Sequence, residues 1–462
     1  MTPSEIVRRR KELSQDEEEK RPARRKSNTS SGGGTQGLKV SFLCLIACVI
    51  LILLVLGLYM DSMSPVLERI VLKFGYERPQ YAVVIDAGST ASRVVAFKFH
   101  KSYIDNKLHL DKELFVERKP GLSSFSKNPA KGAHSIELLL DEAKHFIPKE
   151  KWSDTPLVLK ATAGLRLLPG HEANDLLSAV RELFVKSEFL VDENAVEIMD
   201  GTDEGIYAWF TLNLLLGRLS KSSQAASLDL GGGSTQVTFS PADAAQIPIY
   251  EKYIVPVHVF NKEINVFTHS YLGLGLMAVR HSVFTHNLHK SQTSIESSCV
   301  NPIIQNKTWI YDNTEYSISG KDNSASTFEN PVVDFDVCLN SIKSIVLPLI
   351  KPKPITLKHH VIAAFSYFFE RAIESGLLDL EGGEITVGKF RDGAKEVCKQ
   401  ANTDQPFMCI DLTYISTLLR EGYGLDNTKK IKLYKKIDGH NVSWALGLAY
   451  NLLTTNERYH SS

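Results

Sequence analysis

The sequence predicts an α/β protein of two lobes set behind a single membrane helix, on three observations. The pattern apolar strand, Asp, Gly, Ser-Thr, apolar strand is written twice, as VIDAGSTASRVVAF over 84–97 and SLDLGGGSTQVTFS over 227–240, the two aspartates 229 − 86 = 143 positions apart. Between and after the copies, short apolar strand-like runs alternate with amphipathic helical stretches, the signature of α/β architecture. Val40–Met60 is a run of 21 residues without a charge, enough at about 1.5 Å per residue to cross a hydrocarbon core of roughly 30 Å.

The chain has 462 residues, 43% of them hydrophobic, which suffices for one bilobal unit with a buried cleft. Lys plus Arg equals Asp plus Glu, 53 each. No global field or basic stripe recruits nucleic acid, so nucleic-acid binding is not expected.

Taken in order, residues 1–39 read as a disordered cytoplasmic tail. They carry ten basic against six acidic residues and a Ser/Gly-rich end with little to bury. The apolar run 40–60 reads as a retained anchor, because a cleaved signal peptide would have a shorter core and no 39-residue polar leader. Basic residues stay cytoplasmic, so everything after Met60 is expected in a lumen or outside the cell, as a type II single-pass protein. Residues 61–80 read as a stem. Beyond the span lie four cysteines, Cys299, Cys338, Cys398 and Cys409. An even set in a lumenal domain suggests two disulfides, and sequence order favours 299 with 338 and 398 with 409, among three possible pairings. Asn306 and Asn441 sit in sequons and are expected to carry glycans.

The first copy reads as a strand over Tyr81–Ile85, a Gly-Ser-Thr turn and a returning strand over 93–99. The second repeats it, with a strand from Gln236 to Ser240. Glycine lets backbone N–H groups approach a phosphate, the hydroxyls add donors, and an aspartate at each strand end can hold a divalent cation through its water shell. Two copies suggest two lobes facing one another across one polyphosphate. PLVLKATAGLRLLP (156–169) adds a strand and a Thr-Ala-Gly turn with Arg166 beyond it. VEIMDGTDEGIYAWFTLNLLLG (196–217) adds a strand, an acidic turn and a helix from about Ile206. By position alone Glu204 reads equally as a general base for water and as a helix-start acid facing the dipole. GEITVGK (383–389) opens like a P-loop but continues with Phe390 where Ser or Thr should hold magnesium, so a strand and turn are expected there.

These residues resemble a known family. DAGSTASR (86–93), KATAGLRLLP (160–169), GTDEGIYAW (201–209), LDLGGGSTQ (228–236) and SWALG (443–447) look like the five conserved regions of the ecto-nucleoside triphosphate diphosphohydrolases, the E-type apyrases, and the likeness covers nearly all of 81–455. It implies two ribonuclease-H-like lobes of the actin/hexokinase ATPase type, lobe I being 81–205 completed by 438–458 and lobe II being 206–437. It implies Glu204 as the base that deprotonates the attacking water, positioned with the help of Ser234 and Gln236. It implies Asp86 and Asp229 around a calcium or magnesium ion, and a phosphate cradle of Gly88, Ser89, Thr90, Arg93, Thr162, Gly231, Gly232 and Gly233.

The single N-terminal span, SYLGLGLM (270–277) and MCIDLTYIS (408–416) are similar to the short animal members, numbered five and six, that act on nucleoside diphosphates in the secretory pathway. That implies a Golgi or other secretory-membrane enzyme that removes UDP and GDP after glycosyl transfer, with cell-surface or cleaved, secreted forms as variants. The nucleotide base is expected against Phe365, Tyr367 and Tyr414. The competing readings are a broad tri- and diphosphatase acting on extracellular nucleotides, a kinase or polyphosphatase of the same fold, and a non-enzymatic nucleotide-binding module.

Overall fold

The computed structural model describes residues 34–59, 79–102, 107–221, 223–241, 244–259, 262–289 and 291–460. Residues 1–33 of the expected tail and 61–78 of the expected stem lie outside them. The chain divides into two compact units after Gly75.

In the first unit, Gly34–Tyr59 is one α-helix of 26 residues, beginning six positions before the expected span. A proline-free Leu/Ile/Val run favours this. Over Phe42–Leu53 its side chains are exposed, Phe42 at 66% and Leu51 at 62%. Counted over the described residues, no helix is long and apolar enough to cross a membrane.

In the second unit, a five-stranded sheet runs in the order β3-β2-β1-β4-β5: β1 Pro79–Ala87, β2 Ser92–Lys101, β3 Leu108–Arg118, β4 Leu157–Ala161 and β5 Val196–Ile198. β1 to β3 are antiparallel neighbours, while β4 and β5 run parallel to β1. The next strands are β6 Ala226–Leu230, β7 Ser234–Phe239, β8 Ile254–Val259 and β9 Lys262–Leu272. A three-stranded sheet follows, of β10 Ser294–Ser297, β11 Lys307–Tyr311 and β12 Thr314–Gly320. Then come β13 Ile362–Ser366, β14 Gly383–Thr386 and β15 Lys430–Leu433. The large second sheet is ordered β14-β15-β13-β6-β7-β9-β8. Without its edge strands β14 and β8, it reads β9-β7-β6-β13-β15 and repeats the first sheet strand for strand. The antiparallel pairs and the parallel pairs fall in the same places. The doubled motif is thus the first hairpin of a doubled topology.

Each sheet has its own core. In the first, every residue from Ala82 to Ile85 is buried together with Leu139, Leu176 and Leu446, so β1 is covered on both faces and reads as a continuous apolar run. The second core gathers Leu228, Phe239, Phe368 and Ile415 and contains the disulfides Cys299–Cys338 and Cys398–Cys409. The helix Trp444–His460 returns to the first core through Leu446, Ala449 and Leu453.

Two expectations change. The helix expected from Ile206 begins at Gly201 and runs to Leu215, capped by Asp200, whose side chain accepts from the Thr202 amide. The expected lobe boundary at 205/206 therefore falls inside one helix. That helix buries Ala208 and Leu212 in the first core while its start packs on β7 and β9: a Cβ on Gly205 would lie 2.6 Å from Thr268 Oγ1 and 2.7 Å from Thr238 Oγ1. The strand and turn expected at 383–389 are a strand and then a helix, Val387–Cys398. Val387, Phe390, Ala394 and Val397, all buried, recur at helical spacing and line one face.

Candidate active site

The two hairpin turns meet across a cleft of about 330 Å³. Each glycine that opens a turn spends its own amide closing it. Gly88 N–H donates to Ala91 O at 3.1 Å and Gly231 N–H to Ser234 O at 3.0 Å. Both glycines of the expected cradle thus line the cleft with their own amides already engaged within the turn, and the amides that follow are the ones left for a ligand. In the second hairpin the direction of those amides is set from behind. The first turn of the helix Leu276–Thr285 donates to Gly231 O from Leu276 N–H (2.9 Å) and to Gly232 O from Met277 and Ala278 N–H (both 3.0 Å). In a trans peptide the N–H points opposite the C=O, so the Gly232 and Gly233 amides face away from that helix. Glycine at 232 leaves room for the opposite hairpin, since a Cβ there would lie 2.4 Å from Ser89 Oγ and 3.1 Å from Thr90 Cγ2 and would turn the Ser89 hydroxyl aside. Thr162, at the end of β4, also lines the cleft, tied to the first hairpin by its amide bond to Ala87 O (3.2 Å).

Glu204 stands in the first turn of the helix Gly201–Leu215, 7% exposed and on the cleft wall. Its Oε2 accepts from Arg166 Nη2 and from Gln236 Nε2 at 3.0 Å. Gln236 Nε2 also lies 2.8 Å from Ser234 Oγ and 2.9 Å from Ser270 Oγ. One carboxylate oxygen is thereby saturated, while Gln236 Oε1 is buried without a protein partner. A water between Glu204, Ser234 and Gln236 would find in Gln236 Oε1 an unsatisfied acceptor that could orient it, leaving its proton to the Glu204 carboxylate. Burial pushes the Glu204 carboxyl up to about 8; Asp229 and Asp86 add to this and Arg166 opposes it.

Asp86 ends β1 and Asp229 lies near the end of β6, both on the cleft. Burial raises Asp86, against the pull of Arg93, and raises Asp229 to about 6, against a hydrogen bond from Ser366. Asp86 Oδ1 is buried with no partner. Two buried acids with an orphaned oxygen fit a divalent cation. Among the described residues no cluster of three or more His, Cys, Asp or Glu could hold one, so a cation here would keep most of its water. Arg93 donates to Asp86 Oδ2 (3.2 Å) and Glu117 Oε2 (2.8 Å), which makes it first a brace for Asp86, at the cradle's edge.

Of the residues expected against the base, only Tyr367 reaches the cleft, beside Thr90. Phe365 and Tyr414 do not line it. Phe365 is on the inner face of β13 in the first core, and Tyr414 is buried with its hydroxyl donating to Leu274 O. An apolar run on a central strand and a fully buried helix both point such rings into the core. Asn306 is exposed. At Asn441 the nitrogen a glycan would take donates instead to Glu113 Oε1 at 2.6 Å, and the residue lines the cleft. Sequence reasoning did not find Phe115, Glu117, Lys119 and Lys435 at the mouth, or Ser366 beside Asp229. Only the pairing of strands remote in sequence brings them there.

The GDA1/CD39 (nucleoside phosphatase) family model matches residues 73–460. The chain is 39% identical over 404 residues to the nucleoside-diphosphatase uda-1 of Caenorhabditis elegans, covering 82% of each chain. It is 36% identical to the human nucleoside diphosphate phosphatase ENTPD5 (86% of this chain, 91% of the other) and 39% identical to the human ectonucleoside triphosphate diphosphohydrolase 6 (82% and 78%). A solved nucleoside triphosphate hydrolase from Neospora caninum shares the fold, an actin-like ATPase-type α/β arrangement with mixed sheets, at a TM-score of 0.58 and 15% identity, over 86% of this chain and 97% of that one. With five sequence motifs gathered on one cleft and relatives matched along most of their length, the chain belongs to the GDA1/CD39 (nucleoside phosphatase) family.

Proposed function

We propose that this protein removes the terminal phosphate of nucleoside diphosphates, UDP and GDP before others, in the lumen of the secretory pathway, where it clears the nucleotide left by glycosyl transfer. The observation that carries the chemistry is the buried Glu204, one oxygen held by Arg166 and Gln236, between two facing phosphate hairpins. Glu204 takes the proton of a water held with Ser234 and Gln236. The water oxygen bonds to the terminal phosphorus, the bridging P–O bond breaks, and nucleoside monophosphate leaves. Charge on the transferring oxygens is met by the amides and hydroxyls of Ser89, Thr90, Gly232 and Gly233, with Thr162 beside them. Asp86 and Asp229 would hold calcium or magnesium largely through water, an ion whose charge would offset that of the phosphates. The relatives named as nucleoside diphosphatases support the substrate class. Of the three aromatics expected for the base, Tyr367 is the one that lines the cleft.

The lumenal placement rests on the sequence alone: the 21 charge-free residues Val40–Met60 and the basic residues before them, the side expected to stay cytoplasmic. The lobes are assigned as 81–205 with 438–458, and 206–437, sharing the helix Gly201–Leu215.

The test is phosphate release by the purified chain from UDP, GDP, ADP, ATP and UTP with calcium, magnesium or chelator, beside Glu204→Gln. Diphosphate preference that chelator and the substitution both abolish supports the reading. Equal or faster ATP turnover replaces it with a broad apyrase of external nucleotides. Binding without turnover makes the protein a nucleotide-binding module.

A further inference from the structure

β13 runs parallel to β6 with Phe365 opposite Asp229 and Ser366 opposite Leu230, so its last residue enters the cleft beside that aspartate. Ser366 sits there at φ 55°, ψ −132°. Side chains strain this region of backbone space and glycine takes it freely. Ser366 also directly precedes the helix Tyr367–Glu374, where a serine ordinarily caps the first turn, yet its side chain makes no capping bond. Its hydroxyl instead stands at the Asp229 carboxylate on the cleft wall and favours the ionised form of that acid. The fold thus accepts backbone strain and forgoes a helix cap at one residue, and the return is one hydroxyl on a buried carboxylate. Strain of this kind persists where the surroundings over-determine it, and it gathers at functional sites.

We propose that Ser366 is a positioning residue: its hydroxyl, aimed by the strained backbone at the end of β13, fixes the Asp229 carboxylate so that its other oxygen faces the water shell of the divalent cation. The inference rests on the phosphatase reading of this cleft.

Two substitutions separate aim from strain. Ser366→Gly deletes the donor and relieves the backbone; Ser366→Ala deletes the donor and keeps the strain. The full-length chain in detergent is titrated with calcium, following tryptophan fluorescence, for which Trp444 on the cleft wall is a reporter. Melting temperature in chelator and kcat and KM for UDP are measured alongside. Both variants are expected to bind calcium about 10- to 100-fold more weakly, the usual effect of losing a group that orients a metal ligand. Their kcat should fall more than their KM changes, and Ser366→Gly should melt no lower than the parent. Calcium binding and turnover of Ser366→Gly at parental levels would overturn the proposal. So would a Ser366→Gly chain that melts lower while Ser366→Ala works normally, since the serine would then serve only the fold. Glu204→Gln, run in parallel, tells the two readings apart. If it stays active, the site itself is misassigned; if it is dead while the Ser366 variants are normal, only this inference fails.

Discussion

Replacing Glu204 by Gln should change stability as well as activity, in a direction that pH controls. The carboxyl titrates at about 8 in the fold against 4.5 for an ordinary glutamate, chiefly because it is buried. Its folded pKa is raised, so the folded state holds the proton more tightly than the unfolded chain does. Below about pH 4.5 both states are protonated and burial of the acid carries no penalty. Between about 4.5 and 8 stability falls as pH rises, and above 8 the full penalty stands. At about 1.4 kcal/mol per tenfold, that penalty reaches about 5 kcal/mol. Glutamine has the same shape, keeps an oxygen for Arg166 Nη2 and Gln236 Nε2, and does not titrate. Guanidinium unfolding in chelator, from pH 5 to 9, should therefore show the parent losing stability relative to Glu204→Gln. The trend with pH is diagnostic, because the substitution also deprives Arg166 of its ion pair and so shifts the absolute difference. Calcium should narrow the gap at high pH, while phosphate release by the variant stays at least 10³-fold down, the scale on which losing a positioned base acts. Parallel stability curves for the two proteins would refute the reasoning, since they would mean the carboxyl is not buried at a cost and is not poised to take a proton.

Arg166→Met should move the acid limb of the kcat/KM profile for UDP to higher pH, because Arg166 is the group that lowers Glu204; an unmoved limb would exclude this pairing in solution. Gly232→Ala places a methyl 2.4 Å from Ser89 Oγ and should turn that hydroxyl away from the cleft, costing kcat up to about 10²-fold with the far-UV spectrum unchanged. His360, beside Phe239 at 4.8 Å, is held down to about 4 by burial. The unfolded chain takes a proton there first, so stability should fall as pH drops from 6.5 toward 4, by about 3 kcal/mol; His360→Phe should flatten that slope in urea titrations.

What the sequence made legible was mostly local: both hairpins and the acids at the strand ends, each written in contiguous residues with a turn's or strand's own chemistry, and the cysteine pairing, which followed from an even count taken in sequence order. What escaped it depended on pairing between distant strands. Phe365 looks like a ligand aromatic until β13 is seen to be central, with its inner face in the first core. Asn441 looks like a free sequon until Glu113 of β3 is found on its amide. Ser366 looks like an ordinary cap, and only its positive φ and its neighbour across the β6–β13 pair give it a role.

The duplication also explains why the site is not symmetrical. The helix Gly201–Leu215 follows β5 as Trp444–His460 follows β15, and the two pack together, with Gly447 N–H donating to Thr211 Oγ1 at 2.8 Å. A Cβ on Gly447 would lie 2.4 Å from Tyr207 O, so glycine is needed for this contact. The repeat supplies the cradle twice, one hairpin per sheet. It supplies an acid once, since the first turn of Gly201–Leu215 carries Asp203 and Glu204 and that of Trp444–His460 carries none. A phosphoryl group attacked in line needs donors around its equator and a base on one side only. Two like hairpins and one unlike helix start meet that requirement, and on the proposed reading Glu204 lies on the side from which water would enter.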